Sequence, residues 1–240
     1  MRLLRTAIGV PLVVLATMLG ALVIMVSGER PLSDTVVRLW SRFVLFLVGA
    51  RARRVGGESI DPKRSYVFIA NHTSLVDVPA IVALTPTPLR FVAKRELSHL
   101  PLFGYAARRM GHVFVDRGDR ESATTAIRDR IARGFDRGVA LFFFPEGTRS
   151  TTEDLLPFKK GAAMAALETG LDFVPVAVVG ARRVLPPKGV SLFTPGPVTV
   201  VFGDPVPIAG HTLEDRDALV AAQRAAVEAT LARARAAHGR

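Results

Sequence analysis

The sequence contains no cysteine, which excludes disulfides, thiolate zinc sites, iron–sulfur clusters and a cysteine nucleophile without fixing the compartment. It is also poor in lysine: arginine supplies 27 of the 32 basic residues, against 21 acidic ones. Guanidinium is a planar fork that suits phosphate, so this balance points towards a polyanion: nucleic acid, an anionic bilayer or a phosphorylated ligand. No helix-turn-helix, zinc-finger or RNA-binding signature is present, and the basic residues are spread along the chain, which argues against nucleic acid. The Gly-x-Ser-x-Gly elbow of a serine hydrolase is missing too. Nor is there an internal repeat, a heptad array or a low-complexity tract.

Charge is missing altogether from Ala7 to Val26, a run of 20 residues preceded by Arg2 and Arg5. As a helix it spans roughly 30 Å, the thickness of a hydrocarbon core. A cleaved signal peptide is the competing reading. Its apolar region is shorter, about 7–15 residues, and Val26-Ser27-Gly28-Glu29-Arg30 is a poor cleavage site, so retention in the membrane is expected. Pro11 near the start also permits a re-entrant hairpin. A second apolar stretch, Thr35 to Ala50, carries Arg38 and Arg42 one helical turn apart on one face. Arginines at mid-bilayer are costly, so this stretch reads as an amphipathic helix at the interface, with Trp40 at headgroup level and Arg51, Arg53 and Arg54 following as a basic cluster. A core helix of the soluble domain is the plainer alternative. Residues 1–54 are therefore expected to anchor the chain and residues 55–240 to form the functional domain.

From Val55 onward strands and helices alternate. Strands are expected at 66–70, 89–93, 113–115, 139–144, 173–179 and 198–202. Helices are expected to begin near Val76, at 120–135, at 161–168 and at 213–237, with a loop over 185–197. The run 139–144 is apolar without alternation, the mark of a strand buried on both faces. The pattern predicts an α/β domain whose mixed, largely buried sheet is flanked by helices, with an N-terminal membrane-associated helical hairpin.

Two constellations follow strands directly. Asn71-His72-Thr73-Ser74-Leu75-Val76-Asp77 follows 66–70. If the chain turns into a helix there, Asp77 can hold one tautomer of His72 and leave the other ring nitrogen free as a base of near-neutral pKa. Ser74 reads as a helix cap rather than a nucleophile. Phe144-Pro145-Glu146-Gly147-Thr148-Arg149-Ser150 follows 139–144. There Gly147 allows close backbone approach, and Arg149 offers a bidentate clamp for phosphate. The alternative is a turn closed by a Glu146–Arg149 pair. Lys94 and Arg117 each follow an apolar strand and are further anion ligands in prospect, although Lys94-Arg95-Glu96 also reads as a solvated charge run.

Taken together these blocks resemble the glycerophospholipid acyltransferase family, most closely its 1-acyl-sn-glycerol-3-phosphate acyltransferases. Four motifs match in order: Asn71-His72 to Asp77, the Lys94 to Arg117 block, Phe144 to Ser150, and Val174-Pro175-Val176-Ala177. The resemblance runs from about Tyr66 to Pro205. One local departure is Thr151-Thr152-Glu153-Asp154, where many relatives carry a glycine-containing turn. The resemblance implies acyl transfer from acyl-CoA or acyl-carrier protein to the free hydroxyl of a lysophosphatidic acid, with no covalent acyl-enzyme, no cofactor and no metal. It implies His72 as base and Asp77 as its orienter. Lys94, Arg117, Glu146, Gly147, Thr148 and Arg149 become the acceptor-binding residues, and a backbone N–H near Gly147 the oxyanion donor. Other lyso-acceptors, such as lyso-ornithine lipid or another lysophospholipid, keep the same chemistry. The implied setting is the inner membrane with the active site on the cytoplasmic side, and the partners are membrane lipids and the thioester donor.

Overall fold

In a computed structural model of the chain, residues 1–116, 120–132, 138–188 and 192–239 are described. Two antiparallel helices open it, α1 (Arg2–Ser27) and α2 (Pro31–Val48). The turn between them is closed by a 2.6 Å contact between the hydroxyls of Ser27 and Ser33. Pro31 stands at the start of α2, where its missing N–H has no helical partner to lose. Trp40 donates its indole N–H to the Thr17 hydroxyl at 3.0 Å, and Arg5 reaches the carbonyls of Phe46 and Leu47, so the pair is pinned at both ends. Pro11 lies within one continuous helix. The most apolar window of α1 is only 17% buried, and α1 is the one helix among the described residues long and apolar enough to cross a membrane.

Gly49, in the left-handed conformation that ends α2, delivers the chain to β1 (Ala50–Gly56), an edge strand not anticipated from the sequence. Arg51, Arg53 and Arg54 lie on this strand. Then follow β2 (Val67–Ala70), α3 (Asp77–Leu84), β3 (Leu89–Lys94), a 3-10 turn, α4 (Phe103–Arg109), β4 (Val113–Val115), α5 (Arg120–Ala132), β5 (Ala140–Phe143), α6 (Gly161–Thr169), β6 (Phe173–Val179), the short α7 (Ala181–Val184), β7 (Gly196–Phe202) and α8 (Arg216–His238). The end of the helix expected over 120–135 falls outside the described residues.

The seven strands form one mixed sheet in the order β1-β7-β6-β2-β5-β3-β4. The five from β6 to β4 are parallel; β7 runs antiparallel to β6, and β1 parallel to β7. Because side chains alternate along a strand, the sheet makes two cores. Phe68 and Phe142 point to the side covered by α2 and α3, with Val44, Leu45 and Ile81. Ile69, Leu141 and Phe143 point to the other, against the alanines of α6 and Leu219 and Val227 of α8. Both faces of the central strands are thus covered, as their unbroken apolar runs require.

Candidate active site

The parallel strands β2, β5 and β3 end together, and a chain leaving the C-terminal ends of such a sheet builds the usual ligand site. Register determines what meets there. Val67 pairs with Leu141 and Ile69 with Phe143, an offset of 74 that carries on to His72 and Glu146. The same separation therefore appears as a hydrogen bond: the His72 backbone N–H donates to Glu146 Oε1 at 2.7 Å.

Beyond β2 the ladder to β6 is continued by a side chain. Asn71 donates through its amide to the Val178 carbonyl at 3.0 Å and accepts from the Val178 N–H at 2.8 Å. The chain then turns into α3, whose first residue is Asp77. Its Oδ2 accepts three bonds, from His72 Nδ1 at 2.9 Å and from the N–H groups of Thr73 and Ser74 at 2.7 and 2.8 Å. The Asp77 side chain is fully buried and that of His72 14% exposed. An aspartate held by two backbone N–H groups is fixed in place, and it orients Nδ1–H towards itself. Nε2 is left as the lone-pair nitrogen at the partly open side. The imidazole stacks on the Phe144 ring, 3.9 Å between centroids and 15° between planes, which removes its remaining freedom. Ser74 is tied down: its hydroxyl donates to the Leu185 carbonyl and accepts from the Val76 N–H.

The loop after β5 braces this histidine from the other side. Both Glu146 oxygens are occupied, Oε1 by the His72 N–H and Oε2 by the Leu156 N–H at 2.9 Å. Burial pushes the Glu146 carboxyl above its ordinary range, and those two N–H groups with His72 pull it back. The Ser150 N–H donates to the His72 carbonyl at 2.8 Å, completing the brace. Glu146 is not joined to Arg149. Gly147 adopts φ +71°, and a side chain there would meet Lys159 Cε at 2.8 Å, so glycine serves both conformation and space. The Gly147 N–H is closed in the turn by the Phe144 carbonyl. Thr148 is exposed and Arg149 half-buried, and the Arg149 guanidinium has no hydrogen bond or ion pair among the described residues.

Of the residues singled out from sequence, the structure thus gathers His72, Asp77, Glu146, Gly147, Thr148 and Arg149 at one place. Lys94 ends β3 on the same edge, but its ammonium sits 2.6 Å from Glu96 and half exposed. Arg117 lies outside the described residues. Sequence reading missed Phe144 as a ring support, Asn71 as a ladder extension and Lys159 as a cation against the Gly147 turn. Only Lys159 carried a local signal, its charge thirteen residues after Glu146. Among the described residues no group of three or more His, Cys, Asp or Glu could hold a metal.

The site thus presents an imidazole with one ring nitrogen held by a buried aspartate and the other without a protein partner among the described residues. Comparison with known proteins gives the family. Residues 52–179 match the family described as Acyltransferase. The chain is 33% identical over 181 residues to a 1-acyl-sn-glycerol-3-phosphate acyltransferase of Chlamydomonas reinhardtii, 74% of this chain and 52% of that one. It is 30% identical over 194 residues to human 1-acyl-sn-glycerol-3-phosphate acyltransferase alpha, 81% of this chain and 68% of the human one. The chain therefore spans about half the length of the algal relative. The crystal structure of the 1-acyl-sn-glycerophosphate acyltransferase PlsC from Thermotoga maritima superposes with a TM-score of 0.70 at 27% identity, covering 95% of this chain and 97% of that one. The chain belongs to the acyltransferase family, among the 1-acyl-sn-glycerol-3-phosphate acyltransferases.

Proposed function

We propose that this protein transfers an acyl chain from acyl-CoA or acyl-carrier protein to the free hydroxyl of 1-acyl-glycerol-3-phosphate, giving phosphatidic acid. The observation that carries the reading is the 2.9 Å contact between His72 Nδ1 and the buried Asp77 carboxylate, which leaves Nε2 free. Nε2 takes the acceptor's hydroxyl proton as its oxygen attacks the thioester carbonyl carbon. The C–O bond forms, the oxyanion collapses, the C–S bond breaks, and the departing thiolate takes the proton from the imidazolium. Asp77 stabilises that imidazolium and keeps the tautomer, and Glu146 acts through the backbone of His72 rather than by touching substrate. With the Gly147 N–H engaged in its turn, an oxyanion donor falls to the N–H of Thr148 or Arg149. Arg149 is the main phosphate clamp, assisted by Lys94 and Arg117. Helix α1 holds the chain in the inner membrane with the site facing the cytoplasm, where the thioester donor is found.

The test is an assay of purified protein with a panel of lyso-acceptors, wild type against Arg149→Ala. Lysophosphatidic acid should be the best acceptor, and loss of Arg149 should raise its KM about 10–100-fold, the worth of one charge-assisted contact. Preference for lyso-ornithine lipid or another headgroup, with Arg149 dispensable, would replace this acceptor and keep the chemistry.

A further inference from the structure

The opposite edge of the sheet carries a second charged site. Between α2 and the segments entering β3 and β5 lies a cavity of about 510 Å³, lined by Arg30, Arg38, Arg42, Arg90, Asp34 and Leu39 among others. Val139, on its wall, precedes β5, so the cavity is separated from the His72 end by roughly 20 Å at about 3.3 Å per strand residue. Arg38 and Arg42 form no hydrogen bond or ion pair among the described residues. Arg90 grips Asp34, with Nη1 at 2.7 Å from Oδ1, yet its side chain is only 2% exposed and its Nε–H is buried with no acceptor. An anion in the cavity would answer the two free arginines, Arg38 and Arg42, with the paired Arg90 adding positive charge to the wall.

The surroundings say what kind of anion. Leu39 and Phe43 each follow an arginine by one residue, about 100° round the helix. With Leu32 and Phe46 they form an exposed apolar row beside the arginine row. We propose that this groove binds the phosphate of an anionic phospholipid of the bilayer, distinct from the acceptor at His72, with the lipid's chains lying along the Leu39–Phe43 row.

Trp40, the single tryptophan, lies two residues from both Arg38 and Arg42 with its indole held by Thr17 of α1, and its emission reports on the helix that the groove borders. The full chain in neutral detergent is titrated with short-chain phosphatidylglycerol, with phosphatidylcholine of the same chain length, and with inorganic phosphate, following Trp40 emission. Phosphatidylglycerol should give a saturable change, unaltered in His72→Ala. R38Q/R42Q should weaken it about thirtyfold, near fivefold for each arginine lost. Its melting temperature without lipid checks folding, and if the double variant is unfolded, R42Q alone should weaken binding about fivefold. Wild-type affinity in R42Q, an equal response to phosphatidylcholine, an equal response to inorganic phosphate, or loss of binding in His72→Ala would each overturn the assignment.

Discussion

The two edges of the sheet both bury charge, but they do so to different ends. At the C-terminal edge the acids accept largely from backbone N–H groups, Asp77 Oδ2 from Thr73 and Ser74 and Glu146 from His72 and Leu156, and the result is one histidine nitrogen left unoccupied. At the N-terminal edge Glu29, of the α1–α2 turn, and Asp34, of the first turn of α2, meet arginines from α5 and β3. Arg130 holds Glu29 at 2.9 Å and the Gly111 carbonyl at 3.0 Å, while Arg90 holds Asp34. Backbone donors cannot move without unfolding the turn, so the first arrangement aims a side chain. Partners on separate elements join those elements, so the second fastens the helical pair to the sheet. Position in a buried ion pair says little about catalysis until the partners are identified.

Substitutions on the two edges should separate accordingly. The largest effect is expected from Asp77→Asn, which preserves shape but removes the charge that stabilises imidazolium. Steady-state kinetics should give a kcat lower by about a thousandfold, with the melting temperature little moved. Arg130→Met should do the reverse, costing about 1–2 kcal/mol in denaturant unfolding because it leaves the Gly111 carbonyl without its buried donor and unfastens Glu29, while kcat of the folded enzyme stays within twofold. His112 lies beside that cluster, accepting the Phe91 N–H at Nδ1. Burial first, then Arg90 and Arg130, hold its pKa at about 3, although the residue as a whole is not fully buried. The unfolded chain takes a proton near pH 6.5 that the folded one refuses, so stability is lost as pH falls from 6.5 towards 3. Replacing His112 with Gln should flatten that slope, by about 2 kcal/mol across the window, in urea titrations at several pH values. Smallest is Lys94→Ala: half exposed and paired with Glu96, it should change KM for the acceptor no more than about threefold.

What the sequence disclosed was local. The strands at 113–115 and 173–179 are found at those bounds because short apolar runs between turn residues leave few alternatives. His72 and Asp77 were legible because five residues and one turn separate them. The Glu146 brace and the Phe144 stack were not, because they depend on the register of β2 against β5. Edge strand β1 was hidden by its arginines, which an edge tolerates: Arg53 bonds Thr199 of β7 and the Ala237 carbonyl of α8. Arg90, flanked by Leu89 and Phe91, has the pattern of a strand's solvent-facing position. Its partner Asp34 lies 56 residues earlier on α2, where no pattern within the strand could announce it.

As the proposed base, His72 owes its aim to a scaffold that should survive its removal. The direct measurement is initial-rate acyl transfer from acyl-CoA to lysophosphatidic acid by His72→Ala, beside its thermal unfolding. His72→Ala should lose at least about a thousandfold in kcat with a melting temperature near wild type. Substantial activity in a folded His72→Ala protein would contradict that role.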